Sequence, residues 1–134
     1  MSDEAAVLFI NQAFYEAFSD HDIGAMGAIW SRQDSISCVH PGWTALAGRD
    51  AVMESWAAIL SSADPPRVVC RSPSAFVFGN VAYVICYEEL GSSFLVATNI
   101  FAREDVSWRL VHHQAGIAPR PPASSPRKPP TPRQ

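Results

Sequence analysis

The sequence lacks any hydrophobic run long enough to cross a membrane. No apolar stretch reaches the roughly 18 residues that a membrane helix needs. The first residues, MSDEAAVLF, are acidic and lack the basic start that is typical of a signal peptide. We therefore predict a cytoplasmic protein that does not act at a membrane.

Cysteine is scarce and its spacing matches no known framework. The three cysteines are Cys38, Cys70 and Cys86, an odd number with no CxxC pair and no zinc-binding pattern. Each lies among strand-forming residues, where a free cysteine behaves as a small buried side chain. We expect three buried free thiols.

Basic residues are few in the main part of the chain. All 13 acidic residues precede residue 119, against only six of the ten basic ones, so this part carries a net charge of −7 and the rest +4. An acidic body argues against a nucleic-acid-binding domain. We predict no nucleic-acid partner.

Large apolar side chains are missing from the C-terminal segment, PRPPASSPRKPPTPRQ (119–134). It holds seven of the 11 prolines and no aliphatic residue larger than alanine. Such a segment cannot bury enough surface to offset its ordering entropy. We predict one domain over residues 1–118 and a Pro-rich, basic, disordered tail over 119–134. PxxP spacings at Pro126–Pro129 and Pro129–Pro132 can dock on aromatic grooves, although this composition produces them readily by chance.

The first half of the chain has helical periodicity. Apolar residues recur at helical spacing over 3–19, and Asp22 is placed to cap a short second helix that ends near Trp30. A third helix is expected from Gly48 to Leu60, and Pro65-Pro66 prevents its continuation.

The second half alternates with a period of two. A short strand over 36–39 precedes the third helix, and short turns separate four longer runs that should form an antiparallel meander. Pro73 within the first run predicts a bulge. The four runs are Arg67–Phe78, Val81–Leu90, Ser93–Arg103 and Trp108–Ile117.

This order of elements predicts an α+β domain. Three helices must cover one face of the sheet, and a cone-shaped cavity forms between the layers if the sheet curls. The other face presents Tyr, Ile and Val positions, so we expect two sheets to pair in a homodimer.

Three stretches carry a resemblance to a known superfamily. AFSDHDIGAMGAIW (17–30), VHPGWTALAGRDAVMESW (39–56) and WRLVHHQAGIAP (108–119) resemble segments of the nuclear transport factor two-like superfamily. That group includes ketosteroid isomerase, SnoaL-like polyketide cyclases and the association domain of calmodulin-dependent kinase. The chain is identified as a SnoaL-like, ketosteroid isomerase-like member, which implies a cystatin-like cone of three helices on a curved antiparallel sheet.

The resemblance also implies where a site would lie. His40 stands where the isomerases have their general base, an aspartate just before the proline of the strand corner. Phe14 and Asn99 stand where the isomerases have the oxyanion tyrosine and the protonated aspartate, and Trp56 replaces a pocket tyrosine. Because the base and both oxyanion-hole groups differ, steroid isomerisation is not expected.

The side chains at these positions allow acid–base chemistry. His40 can exchange a proton near neutrality and Asn99 can donate to a carbonyl or enolate oxygen. His112 and His113 point to opposite faces of their strand, and His113 is the predicted catalytic residue on the cavity side. The alternative is that His40 only caps a strand end and Asn99 only satisfies a buried backbone group. No carboxylate is evident beside the histidines, so we predict no metal and no cofactor.

Large aromatic side chains are expected to line the cavity, which would suit a flat organic ligand. Ordinary core packing is the alternative for some of them. Trp43 follows Gly42 and could serve as a mobile lid, and Glu88 or Glu89 could approach the cavity mouth, although solvated charge is the commoner explanation. The predicted pocket residues are Phe14, Trp30, Trp43, Trp56, Cys86 and Phe101.

Two functions remain open from the sequence. The first is a small-molecule enzyme that performs isomerisation, cyclisation or dehydration on an aromatic or polyketide-like compound through His40. The second is a non-catalytic module that binds a ligand or assembles through its sheet.

Overall fold

The computed structural model describes residues 1–122 and contains three helices packed on a six-stranded sheet. Within these residues no helix is both long and apolar enough to span a membrane. The elements are α1 (Asp3–Ser19), α2 (Ile23–Ile29), β1 (Ser37–Val39), β2 (Leu46–Ala47), α3 (Arg49–Leu60), β3 (Val69–Phe78), β4 (Val81–Leu90), β5 (Ser93–Glu104) and β6 (Ser107–Ala118).

The helices begin where the sequence predicts them to begin. The Ser2 hydroxyl accepts a hydrogen bond from the Ala5 amide at 3.1 Å, and the Asp22 carboxylate accepts one from the Ala25 amide at 3.0 Å. Both side chains satisfy amides that a helix start leaves free. The N-terminal cap of α2 by Asp22 is therefore confirmed.

Arg49 fixes the start of α3 against the end of α2. Its guanidinium donates to the carbonyl oxygens of Gly27 at 2.9 Å, Trp30 at 3.3 Å and Ser31 at 2.7 Å. A cation at the C-terminal end of a helix also interacts favourably with the helix dipole. These contacts anchor α3 to the chain that leaves α2.

The sheet has the strand order β2-β1-β6-β5-β4-β3. The antiparallel meander from β3 to β6 is confirmed. The expectation of an entirely antiparallel sheet is wrong at the other edge, because β1 pairs with β6 in parallel, with Cys38 opposite His113. The two-residue β2, which pairs with β1, was not predicted because it is too short to show a period.

Two irregularities bend the sheet. The register shifts between Arg71 and Ser74, where Ser72 takes a φ of 53°, so the bulge predicted from Pro73 is confirmed. A second shift lies between Ile100 and Phe101. Bulges increase local twist and bend a strand, which gives the sheet a concave face that the helices cover.

The C-terminal segment begins where β6 ends, at Ala118. The Arg120 guanidinium lies 5.4 Å from the centre of the Phe94 ring. Residues 123–134, with both PxxP spacings of the predicted tail, lie outside the described residues, so the domain boundary at residue 118 stays a prediction.

Candidate functional site

A cavity of about 420 Å³ opens between the concave face of the sheet and the C-terminal ends of α1 and α3. Most of its wall is apolar, and three titratable side chains face it: His40, Glu88 and His113. An apolar pocket with a few convergent polar groups is the usual form of a small-molecule site. Apolar side chains of the wall include Phe18, Trp43, Ile59, Val68, Leu90 and Leu95.

His40 lies just after β1, at the turn that Pro41 begins, and its ring is directed inward. Its Nε2 lies 2.9 Å from the Ser55 hydroxyl, and that hydroxyl donates its one proton to the Val52 carbonyl at 2.7 Å. Ser55 must therefore accept from His40, so Nε2 carries the proton and Nδ1 carries the lone pair. Neutral His40 can accept a hydrogen bond from a ligand only through Nδ1.

The surroundings of His40 keep it uncharged. The ring is buried against Trp43 and Trp56, each with its ring centre 4.8 Å away. This burial lowers the pKa of His40 to about 4. A group with so low a pKa is a weak base near neutrality, so the predicted role of His40 as the principal base does not suit its environment.

His113 lies on β6, 1% exposed, with its ring centre 6.4 Å from that of His40. Its Nδ1 lies 2.5 Å from the Asn99 side-chain oxygen. Because that oxygen can only accept, Nδ1 donates and the lone pair of neutral His113 is at Nε2. Burial, followed by the nearby His40 and His112, lowers the pKa of His113 to about 3.

Glu88 lies on β4 and is the only carboxylate lining this cavity among the described residues. It is 2% exposed, and one of its oxygens, Oε2, lies 3.8 Å from His113 Nε2. Burial raises the pKa of Glu88 to about 7, while a hydrogen bond from Tyr15 opposes that rise. Glu88 is thus the group in the cavity that changes protonation near neutral pH.

Hydrogen bonds connect five side chains beneath the cavity. The Tyr15 hydroxyl donates to Glu88 Oε2 at 2.6 Å and accepts from the Asn99 amide at 3.2 Å. The second amide hydrogen of Asn99 goes to the Asn11 side-chain oxygen at 2.8 Å. Asn99 accepts from His113, whose Nε2 lies 3.8 Å from Glu88 Oε2 without a hydrogen bond between them. Glu88 and His113 are therefore connected through Tyr15 and Asn99.

Asn99 does not serve as a donor into the cavity, contrary to expectation. It is fully buried, and Tyr15 and Asn11 take both hydrogens of its amide. No amide hydrogen remains for a ligand oxygen. Asn99 instead positions Tyr15 and His113.

Most of the predicted aromatic wall is core. Trp43 lines the cavity and is 46% exposed, and of the two adjacent histidines it is His113 that lines the cavity. Trp56 lies behind the two histidine rings. The predicted pocket residues that prove to be fully buried core, outside the cavity wall, are Phe14, Trp30, Trp56, Cys86 and Phe101.

Sequence reasoning does not choose between Glu88 and Glu89 at the cavity mouth, and it misses Tyr15. The signal for Glu88 was its parity, because Ala82, Val84 and Cys86 precede it at every second position on the buried face of β4. The sequence comparison finds Phe14 in place of the isomerases' oxyanion tyrosine and does not consider Tyr15, the next residue of α1. The helix turns the Tyr15 hydroxyl to the sheet, whereas the Phe14 ring packs on Trp56.

Within residues 1–122 no group of three or more His, Cys, Asp or Glu side chains is arranged to hold a metal ion. His40 and His113 face the same cavity, and one ring nitrogen of each is engaged, by Ser55 and by Asn99.

Comparisons with known proteins agree with this architecture. A search among curated proteins finds no match. A proposed dehydratase of the NTF2-like family from Streptomyces avermitilis is 32% identical, with 87% of this chain and 96% of that chain covered and a TM-score of 0.78. A proposed calcium/calmodulin-dependent protein kinase type II association domain from Thiobacillus denitrificans is 30% identical, with 82% and 93% covered and a TM-score of 0.75.

The CaMKII hub of S. rosetta shares the fold at 16% identity, with 88% of this chain and 98% of that chain covered and a TM-score of 0.72. The SnoaL-like domain family matches residues 7–119, nearly the whole described chain. The curved sheet, the helical layer and this match lead to one conclusion: the chain belongs to the SnoaL-like domain family within the NTF2-like superfamily.

Proposed function

We propose that the protein is a small-molecule enzyme that moves a proton next to a carbonyl group, with Glu88 as the group that takes and returns the proton. The observation that carries the proposal is a carboxyl that is 2% exposed, lines an apolar cavity, and has a pKa raised to about 7. Glu88 replaces His40 as the principal catalytic residue of our sequence-based hypothesis.

The protonation states assign a role to each group. Ionised Glu88 removes a proton from the carbon beside the carbonyl, and the protonated acid returns it to another carbon or to a leaving hydroxyl. His40 Nδ1 and His113 Nε2 are acceptors, so they bind hydroxyl hydrogens of the ligand. Tyr15 donates to Glu88 and stabilises its charged form, while Asn99 positions Tyr15 and His113.

The cavity also constrains the ligand. Of its three titratable groups, two are neutral histidines and the third is a carboxyl, so no cation faces an anionic ligand among the described residues of the wall. A neutral, largely apolar molecule with hydroxyl and carbonyl groups fits, which agrees with a hydroxylated aromatic or polyketide-like compound. Isomerisation, cyclisation and dehydration of such compounds all begin with this proton transfer.

Hydrogen–deuterium exchange tests the proposal without knowledge of the natural substrate. A panel of neutral hydroxylated aromatic ketones would be incubated with the protein in D₂O, and loss of the carbon-bound proton beside the carbonyl would be followed by NMR. We expect exchange with the wild type and with Glu89→Gln, and none above buffer with Glu88→Gln. Compounds that bind in the cavity but exchange equally with Glu88→Gln would rule out Glu88 as the base.

A second candidate function is assembly through the outer face of the sheet. Tyr83 lies opposite Ile100, Tyr87 lies opposite Val96, and all four are half-buried in the isolated chain. Similarity to proteins named as an association domain and a hub supports self-association. We propose a homodimer in which this face covers its counterpart.

Analytical ultracentrifugation tests the homodimer. Ile85 is half-buried on the same outer face, so Ile85→Glu would place two charges in the paired sheets and is expected to give a monomer. Val106→Glu, in the exposed turn between β5 and β6, is the matched control and should leave the mass unchanged. A wild type that sediments as a monomer at all concentrations would exclude this assembly.

We also propose that the protein is cytoplasmic and that its single domain ends at residue 118, with the Pro-rich tail beyond. The end of β6 at Ala118 supports the second of these assignments. Limited proteolysis of the full chain should cleave first after residue 118.

A further inference from the structure

A second cavity, of about 230 Å³, lies on the other side of Tyr15 from the first. Tyr15 lines it with its ring and reaches Glu88 of the first cavity with its hydroxyl. Cys70 of β3 is part of the wall and is partly exposed. Polar residues of α1, among them Gln12, Glu16 and Ser19, form the opposite wall. A thiol is therefore accessible from solvent directly behind the candidate site.

The Cys70 thiol has a second thiol as its neighbour. Cys70 pairs with Glu88 across β3 and β4, and Cys86 precedes Glu88 by two residues, so both sulfurs lie on the inner face of the sheet. Cys70 and Cys86 are diagonal neighbours across the two strands. Asn11 donates to Cys70 Sγ at 3.8 Å, and the Tyr15 hydroxyl lies 3.2 Å from Cys86 Sγ.

We propose that Cys70 and Cys86 form a peroxide-sensitive dithiol, with Cys70 as the attacking thiol and Cys86 as the resolving one. The Cys70 thiolate attacks one oxygen of a hydroperoxide, the O–O bond breaks, and Cys70 becomes a sulfenic acid while water or an alcohol leaves. The Cys86 thiol then attacks the Cys70 sulfur, the S–O bond breaks, and water leaves with the Cys86 proton. The two sulfurs together lose two electrons, which the hydroperoxide accepts.

The environment sets the order of the two steps. The interaction with Cys86, followed by the hydrogen bond from Asn11, lowers the pKa of Cys70 and so favours its thiolate. The interaction with Cys70, together with burial, raises the pKa of Cys86. Only Cys70 is accessible from the second cavity, whereas Cys86 is fully buried.

The third cysteine provides an internal control. Cys38 is buried on β1, where desolvation raises its pKa to about 12, and its nearest polar neighbour is His40. A thiol in this state reacts slowly with peroxide. Oxidation should therefore select the pair over Cys38.

Treatment of the folded full-length protein with stoichiometric hydrogen peroxide tests the proposal. Free thiols would be alkylated after denaturation, and peptides would be mapped without reduction. We expect the intact mass to fall by two hydrogen atoms, free thiols to fall from three to one, and a Cys70–Cys86 cross-linked peptide with Cys38 alkylated. Formation of the cross-link does not depend on the proposed enzymatic function.

Two variants assign the roles. Cys86→Ser should accumulate a Cys70 sulfenic acid that dimedone traps, while Cys70→Ser should leave Cys86 unmodified. Peptide mapping of the wild type needs neither variant to fold. The proposal is overturned if Cys38 is oxidised first, if Cys70 and Cys86 both remain free, or if Cys70 gains oxygen without forming the cross-link.

Discussion

The same three long strands, β4 to β6, build two very different halves of the cone. In one half Phe101 pairs with Leu110, and Leu110 forms a bridge with Trp30. All three side chains are fully buried and none is titratable. In the other half the inward positions of the same strands hold Glu88 and His113 around a cavity. One half is filled with apolar side chains, while the other buries ionisable groups.

In this fold the filled half supplies stability, and the open half holds the ionisable groups. Close packing of apolar side chains stabilises the filled half. The open half contains a void, and burial shifts the pKa values of Glu88 and His113 away from their ordinary values. The folded state therefore loses stability at any pH where the disfavoured protonation state is imposed. Perturbed groups around a void are typical of functional sites.

Truncation in the filled half should have the largest effect on stability. Phe101 is fully buried, so Phe101→Ala removes a large side chain and leaves a cavity. We expect a loss of about 3–5 kcal/mol in the free energy of unfolding, measured by urea denaturation. Ile117→Ala on β6, where the side chain is 92% exposed, is the control and should change stability by less than about 0.5 kcal/mol.

Glu88→Gln in the open half should raise the free energy of unfolding, whereas Phe101→Ala lowers it. The carboxyl titrates near pH 4.5 when unfolded and near 7 when folded, so the folded state holds more protons between these values and the wild type loses stability as pH rises through them. The amide has no charge to bury and its oxygen can still accept from Tyr15. We expect a gain of at most about 3 kcal/mol above pH 7 and none near pH 4, measured by urea denaturation at both pH values.

A destabilised Glu88→Gln at pH 8 would mean that the ionised carboxyl is well solvated, which contradicts the assignment.

The two histidines make stability depend on pH in the opposite direction to Glu88. His40 and His113 are neutral when folded and gain protons when unfolded below pH 6.5, so the wild type should lose stability as pH falls from 6.5.

Tyr15→Phe should have a smaller effect on stability and should also change the titration of Glu88. It removes the hydroxyl that donates to Glu88 and accepts from Asn99, so about 1–3 kcal/mol of stability should be lost. The Tyr15 hydrogen bond lowers the pKa of Glu88, so its removal should move the Glu88 titration to higher pH. An unchanged titration would show that Tyr15 does not control Glu88.

Glu89→Gln should have the smallest effect. Glu89 pairs with Arg71 on the exposed surface at 2.7 Å, and such pairs contribute at most about 1 kcal/mol. Neither stability near pH 7 nor proton exchange of bound ketones should change. An effect as large as that of Glu88→Gln would remove the distinction between the buried and the exposed carboxylate.

The sequence predicts the scaffold better than the site. Helical caps, hairpin turns and the proline bulge are local, so their outcome at Asp22 and Pro73 could be foreseen. The parallel pairing of β1 with β6 joins residues about 75 positions apart, and no local pattern specifies it. For the same reason the path from Tyr15 through Asn99 to His113 emerges only when α1, β5 and β6 meet.

Individual side chains show the limit of periodicity. The register shift beside Ile100 leaves Val111 as an extra residue in β6, so Leu110 and His113 are both buried although they lie three positions apart. Alternation alone therefore does not choose between His112 and His113, whereas the uninterrupted alternation of β4 does place Glu88 on the inner face. Periodicity cannot tell whether an inward residue lines a void or a packed core. Trp56 and Phe101 were therefore expected in the wall and lie in the core, since the cavity occupies only one end of the cone.

The most direct test of the account is the titration of Glu88 itself. Protein labelled with ¹³C at the glutamate side-chain carboxyl would be followed by NMR across the pH range, with Glu88→Gln to assign the resonance. We expect a midpoint near pH 7, well above that of an ordinary glutamate at 4.5. A midpoint near 4.5 would contradict it, because the carboxyl would then be fully ionised at neutral pH and poorly suited to exchange a proton.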